Sequence, residues 1–183
     1  MYHSGNQLID PKLLFTKVRL QENMHIADFG CGRTGHIVFP ISRLIGEHGT
    51  IYAVDILKDV LDNITKRSRE EGNINIHPIW SDIEKVGKTS IPEKSLDVVF
   101  LVNTLSHVSD VANVLNEANR LLKNKSRIII ADWKKSNLPI APKDEKLVDF
   151  EKIIKWANDN NFAVQEQFDA GQYHEGLVLF KHD

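Results

Sequence analysis

The sequence predicts an α/β fold: a doubly wound, Rossmann-like, mostly parallel sheet that finishes in a C-terminal antiparallel hairpin. Two observations carry that expectation. Short apolar runs alternate with segments whose apolar residues recur every three or four positions, as strands alternating with amphipathic helices do. The last two runs, Phe162 to Phe168 and Gly176 to Phe180, are separated by too little chain for a helical crossover, so they pair as antiparallel neighbours.

Each element follows in order. Asp10 and Pro11 have the chemistry of an N-cap and first helical position, and Leu13, Leu14, Val18 and Leu20 supply the apolar stripe. Met24 to Phe29 is a strand running into glycines, followed by a helix on Ile37, Ile41, Leu44 and Ile45 that Gly46 stops. Thr50 to Val54 is a second strand, and Leu57, Val60, Leu61 and Ile64 share one face of the next helix. Ile74 to Ile79 is a third strand. Leu96 to Val102 is almost wholly apolar, as in a strand covered on both faces, and Val111, Val114, Leu115, Ala118 and Leu122 mark the helix after it. Arg127 to Ala131 is the fifth strand, Ser136 to Asp144 with two prolines is a loop, and Phe150, Ile153, Ile154 and Ala157 form the last helical face.

With 183 residues, 42% of them hydrophobic and 26% charged, the chain fits a single domain over 1–183. A net charge of -2 without long blocks of one sign argues against nucleic acid as a partner. Cys31 is the only cysteine, so no internal disulfide or paired-thiolate metal site is expected, and a reducing compartment is. No signal-like N-terminus or apolar run of roughly 18 residues is present, which predicts a cytoplasmic protein with no membrane partner. A homo-oligomer remains open.

The chemistry concentrates at three predicted strand ends. Gly30, Gly32 and Gly35 fit G-x-G-x-x-G between a strand and a helix, where small residues let backbone amides approach a ligand. Asp55 ends the second strand, where a carboxylate can accept from both hydroxyls of a ribose. Asp82 follows the third, where it can accept from an adenine amino group while Ile83 packs on the ring. Any one of these also serves as a plain turn or helix cap; together, along one sheet edge, they point to a nucleoside site.

These residues resemble the class I S-adenosylmethionine (SAM)-dependent methyltransferases. The resemblance spans nearly the whole chain: Ala27 to Gly32 as motif I, Ile51 to Asp55 as motif II, Ser81 to Ile83 as motif III, and Leu96 to Asn103 as motif IV. It implies a seven-stranded sheet with the SAM methionine moiety at Gly30 to Gly35, including Cys31, and near Asp28 and Asn103. Asp55 and Ile56 would then hold the ribose side, and Asp82 and Ile83 the adenine. The pattern departs from the family in two places. Arg33-Thr34 delays the third glycine to position 35, and Lys123-Asn124-Lys125-Ser126 stands where a Pro-Gly-Gly turn is frequent. Arg33 is a candidate for the methionine carboxylate.

Methyl transfer from a sulfonium needs alignment, a desolvated pocket and, for a protic acceptor, one base. His107 and His174 are the candidate bases, with Trp133 and Tyr173 as possible pocket walls or core filling. The acceptor contacts are expected from residues 1–22, around His3 to Leu8, and from the Ser136 to Asp144 loop, a small cover suited to a small molecule. Base methylation is disfavoured because motif IV lacks the Asn-Pro-Pro-aromatic turn, and arsenite methylation because Cys31 stands alone. An NAD(P)-dependent oxidoreductase and a non-catalytic methyltransferase-fold subunit are the alternatives.

Overall fold

The computed structural model describes residues 8–183; the expected acceptor contacts at His3 to Gln7 lie outside them. Seven strands and five helices follow in the order α1 (Pro11–Lys17), β1 (His25–Phe29), α2 (Val38–Ile45), β2 (Thr50–Asp55), α3 (Lys58–Glu71), β3 (Ile76–Trp80), β4 (Leu96–Val102), α4 (Val111–Leu121), β5 (Leu122–Trp133), α5 (Phe150–Asp159), β6 (Phe162–Asp169) and β7 (His174–Lys181). They form one sheet of order β3-β2-β1-β4-β5-β7-β6, in which β1 to β5 are parallel and β7 pairs antiparallel with both β5 and β6.

Strand alternation divides the core in two. Ile26, Ile51, Ala53, Phe100 and Val102 face α1 to α3, whereas Ala27, Phe29, Val54, Val99 and Leu101 face α4 and α5. The α1 helix starts as its sequence predicts: the Asp10 carboxylate accepts from the Lys12 amide at 3.0 Å with Pro11 following. Its Phe15 then meets Phe100 edge-on at 6.0 Å.

Several boundaries differ from expectation. Leu44 is 51% exposed, because Val38 and Ser42 complete the buried stripe of Ile37, Ile41 and Ile45 instead. Leu57 caps α3 rather than lying on its buried face, and it is exposed. Ile74 stands outside β3 in solvent. The largest difference is β5, which begins at Leu122 directly out of α4. The pairing with β4 jumps from Leu96–Leu122 to Val98–Arg127, so the polar stretch from Lys123 to Ser126 bulges out of a strand instead of forming a separate turn.

Candidate functional site

β1 and β4 are neighbours, but the chain leaves β1 towards β2 on one side and β4 towards β5 on the other. Where the two loops part, a crevice opens at the C-terminal sheet edge. Gly30 follows β1 there, and Asn103 and Thr104 follow β4.

The glycine loop is held against β2. The Gly30 and Cys31 amides donate to the Val54 carbonyl at 2.8 and 3.1 Å, and the Gly32 amide donates to Asp55 Oδ2 at 3.1 Å. These three amides therefore fix the loop instead of facing a ligand, contrary to the sequence expectation. α2 also begins only at Val38. What the glycines supply is room. All three have φ between +55° and +74°, a conformation that glycine adopts at little cost. A Cβ on Gly30 would lie 2.7 Å from Thr104 Oγ1, and one on Gly35 would lie 2.7 Å from the Phe39 ring and 2.8 Å from Ile64 Cδ1. A Cβ on Gly32 would meet nothing within 4 Å. Gly30 and Gly35 thus serve close packing, which answers the displaced third glycine, while Gly32 borders open space.

Asp28 and Asp55 lie on adjacent strands and on the same sheet face, under this loop. Asp55 is nearly buried, with Oδ1 accepting from the Leu57 amide at 3.0 Å and Oδ2 from Gly32. Asp28 is 2% exposed, and burial, followed by the charge of Asp55, pushes its carboxyl up to about 8. Burial and the charges of Asp28 and Asp55 also drive the Cys31 thiol well above its usual range, so it is a poor thiolate nucleophile.

Ile56 is 54% exposed beside Asp55, and its carbonyl accepts from Trp80 Nε1 at 2.9 Å, which places an apolar platform at the ends of β2 and β3. Asp82 turns the chain after β3 by accepting from the Glu84 amide at 3.1 Å, and Lys85 lies 3.3 Å away. Ile83 is buried in the same core cluster as Val54 and Leu105. Asn103 has φ +52° and donates its amide to the Ala131 carbonyl at 2.8 Å. Arg33 pairs with Asp59 of α3 in solvent instead of reaching into the crevice.

The two candidate bases sit apart. His107 ends a 3-10 turn, Leu105–His107, and is exposed at a groove of about 580 Å3 between that turn and α5, whose walls include Asp110, Lys152 and Trp156 but no residue of the glycine loop. His174 lies on the opposite face, aligned with Trp133 across β5 and β7, its ring 4.4 Å from the indole. It is fully buried with neither ring nitrogen hydrogen-bonded among the described residues, and burial together with Lys134 pushes it down to about 4. It is therefore a neutral ring at neutral pH.

Other supports were not singled out from the sequence. Thr104 donates to the Phe29 carbonyl at 2.8 Å, locking the loop after β4 onto β1. Arg67 of α3 donates to the Thr34 carbonyl at 2.9 Å while lying 3.8 Å above Phe39. Asp132, fully buried at the end of β5, accepts from the amides of Leu105, Ser106 and Trp133 at 3.0, 3.3 and 2.9 Å. Burial pushes its carboxyl up, and the bonds from Trp133 and Ser106 and the nearby His107 pull it back. The signal was present: Asp132 ends an apolar run as Asp55 does.

Comparison with known proteins agrees with this architecture. A family model described as a methyltransferase domain matches residues 20–175. Human arsenite methyltransferase is 29% identical over 119 residues, 61% of this chain and 31% of that protein. The ubiquinone/menaquinone biosynthesis C-methyltransferase UbiE of Vibrio cholerae is 28% identical over 125 residues, 68% of this chain and 45% of that protein. The chain thus spans less than half the length of these curated relatives. Among solved structures, a SAM-dependent methyltransferase from Aquifex aeolicus shares the fold with a TM-score of 0.84 at 24% identity, covering 97% of this chain and 92% of that one. A putative type 11 methyltransferase from Sulfolobus solfataricus gives 0.71 at 26% identity, covering 96% and 94%. With the glycine loop, the strand-end carboxylates and the β5-β7-β6 arrangement in place, the chain belongs to the class I SAM-dependent methyltransferase family.

Proposed function

We propose that this chain moves a methyl group from SAM to a small-molecule acceptor. The observation that carries the reading is the paired strand ends of β1 and β2. Gly32 borders open space, the Asp28 carboxyl lies buried at the end of β1, and Asp55 stands within hydrogen-bond reach of the same loop. An adenosyl cofactor with a cationic methionyl arm fits that combination of room and negative charge. Asp55 keeps unused lone pairs for ribose hydroxyls. Ile56 and Ile83 offer apolar contact to a purine with Asp82 at its edge, and Asp28, the Gly30 to Gly35 loop and Asn103 flank the methionyl arm. The sulfonium supplies an activated methyl; the protein's part is to align the acceptor, exclude water and hold a proton. His107 is the candidate to take that proton at the groove mouth, and His174 to contact the acceptor beside Trp133.

The β5-β7-β6 order, with an antiparallel strand inserted before the edge, argues against an NAD(P)-dependent oxidoreductase, whose sheet continues in parallel order. Arsenite does not suit this chain, whose sole thiol is buried in the cofactor loop. The acceptor cover is assigned to the N-terminal segment and the Ser136 to Asp144 loop. No described helix is long and apolar enough to cross a membrane, and a cytoplasmic place is part of the proposal.

Calorimetry with SAM tests the cofactor half. Asp55→Ala should weaken binding by about 1–3 kcal/mol, the usual cost of lost bonds to a buried partner; unchanged affinity would refute the assignment. Mass spectrometry of small molecules copurified with the protein addresses the acceptor.

A further inference from the structure

We propose that Asp28 couples binding of the cofactor's methionyl arm to release of one proton into solvent. The inference rests on the cofactor reading above and adds a property of the site that the reading does not require.

Asp28 is nearly inaccessible, and no described residue bonds its carboxyl oxygens. Among the described residues, the charged and titratable groups around it offer no compensating cation. From β2 comes Asp55, a second acid, and from the loop comes the buried Cys31 thiol. Arg33 is drawn away onto Asp59. Arg67 is engaged by Glu71 and the Thr34 carbonyl above the Phe39 ring. His36 bonds the Ile9 carbonyl at 3.0 Å. From the β4 side come only Phe100, paired in register, and the uncharged Asn103 and Thr104. Asp97 of β4 is held elsewhere, by the His25 amide at 2.8 Å and Lys123 at 2.7 Å.

A carboxyl in that setting keeps its proton in the free protein, since ionising it would bury a second negative charge beside the first. The direction of its shift, up to about 8, agrees. An ammonium placed against it reverses the balance. The Asp28 O–H bond breaks, the proton passes to buffer, and the carboxylate accepts an N–H bond from the ligand. Charge and atoms balance, and the ligand's own ammonium stays protonated below about pH 7.

Linkage makes this measurable without an acceptor. Titration calorimetry at about pH 6.5 in phosphate and in imidazole, buffers of different ionisation enthalpy, reads the protons released per ligand bound. SAM should release about one, and its affinity should rise about tenfold from pH 6 to pH 7. 5'-Methylthioadenosine, which keeps the nucleoside and lacks the ammonium, should release almost none, and Asp28→Asn should release almost none with SAM. SAM binding without buffer-dependent heat, or an Asp28→Asn protein that releases as many protons as the parent, overturns the proposal. The buffer comparison on the unaltered protein decides the matter even if the variant folds poorly. A complete absence of binding heat with SAM would instead bring down the cofactor reading itself, and this inference with it.

Discussion

Asp28 makes a second prediction that needs no ligand. A carboxyl raised from 3.8 to about 8 by burial binds its proton in the folded state while the unfolded chain has already lost it. Between those values the folded state holds more protons, so stability falls as pH rises, the reverse of an ordinary salt-bridged carboxylate. At pH 7 the difference is roughly three units, and at about 1.4 kcal/mol per unit the upper bound on the penalty is on the order of 4 kcal/mol. Asp28→Asn keeps the shape and removes the titration. The variant should be more stable than the parent by about 1–4 kcal/mol at pH 7 to 8, equivalent to several degrees in Tm for a chain of this size. The gap should close towards pH 4. Urea unfolding followed by circular dichroism across that range measures it. A variant no more stable at pH 8, or a gap that does not change with pH, would show that Asp28 is ionised or compensated and would refute the electrostatic reasoning. A site that gives up stability for ligand recognition is a common trade.

Two further outcomes follow from the same structure. Glu117 is fully buried on α4; burial would raise its carboxyl, but bonds from Arg120 and from the Gly87 and Thr89 amides win and hold it at about 2. Its contribution is present above about pH 4.5 and lost as pH falls towards 2, so Glu117→Gln should cost about 2–3 kcal/mol at pH 7 and little near pH 2, read by denaturant titration. Gly35→Ala, with its Cβ driven onto Phe39 and Ile64, should lower Tm more than Gly32→Ala, whose Cβ enters open space, while Gly32→Ala should weaken SAM more; equal effects on both readouts would contradict the division of labour between the glycines.

The alternation of strands and helices was legible because each element carries its own period. The start of β5 was not: Lys123 to Ser126 reads as a turn by composition, yet Lys125 adopts φ +58° and the Ser126 hydroxyl bonds the Lys123 carbonyl, so the strand absorbs the stretch as a bulge. Leu44 misled for a simpler reason. A two-turn helix has room for only one buried stripe, and the pattern offered more apolar residues than the stripe accepts. At the candidate site, the sequence could propose the residues contiguous with a motif, from Asp28 to Gly35 and at Asp55 and Asp82. Those acting on another loop's backbone were not, as with Thr104 on the Phe29 carbonyl and Arg67 on the Thr34 carbonyl. A backbone partner leaves no residue type to read.

That class of contact also explains why Asp28 stands out. The loops at this sheet edge have few ladder bonds, and acidic side chains reaching across to their amides hold them. Asp55 takes Gly32 and Leu57, Glu84 takes Ser109 and Asp110 at 2.9 and 2.7 Å, Glu117 takes Gly87 and Thr89, and Asp132 takes Leu105 and Ser106. In each case the carboxylate accepts from two or more amides, which offsets part of the cost of drawing it from water. Asp28, 2% exposed, is nearly as buried as Glu117 and Asp132, yet it has no donor among the described residues. A carboxyl used for architecture would be expected to share its neighbours' solution, since amides of the same loop lie next to it in the chain. Its isolation is intelligible if the donor arrives from outside, and under the proposed function that donor is the cationic arm of the cofactor.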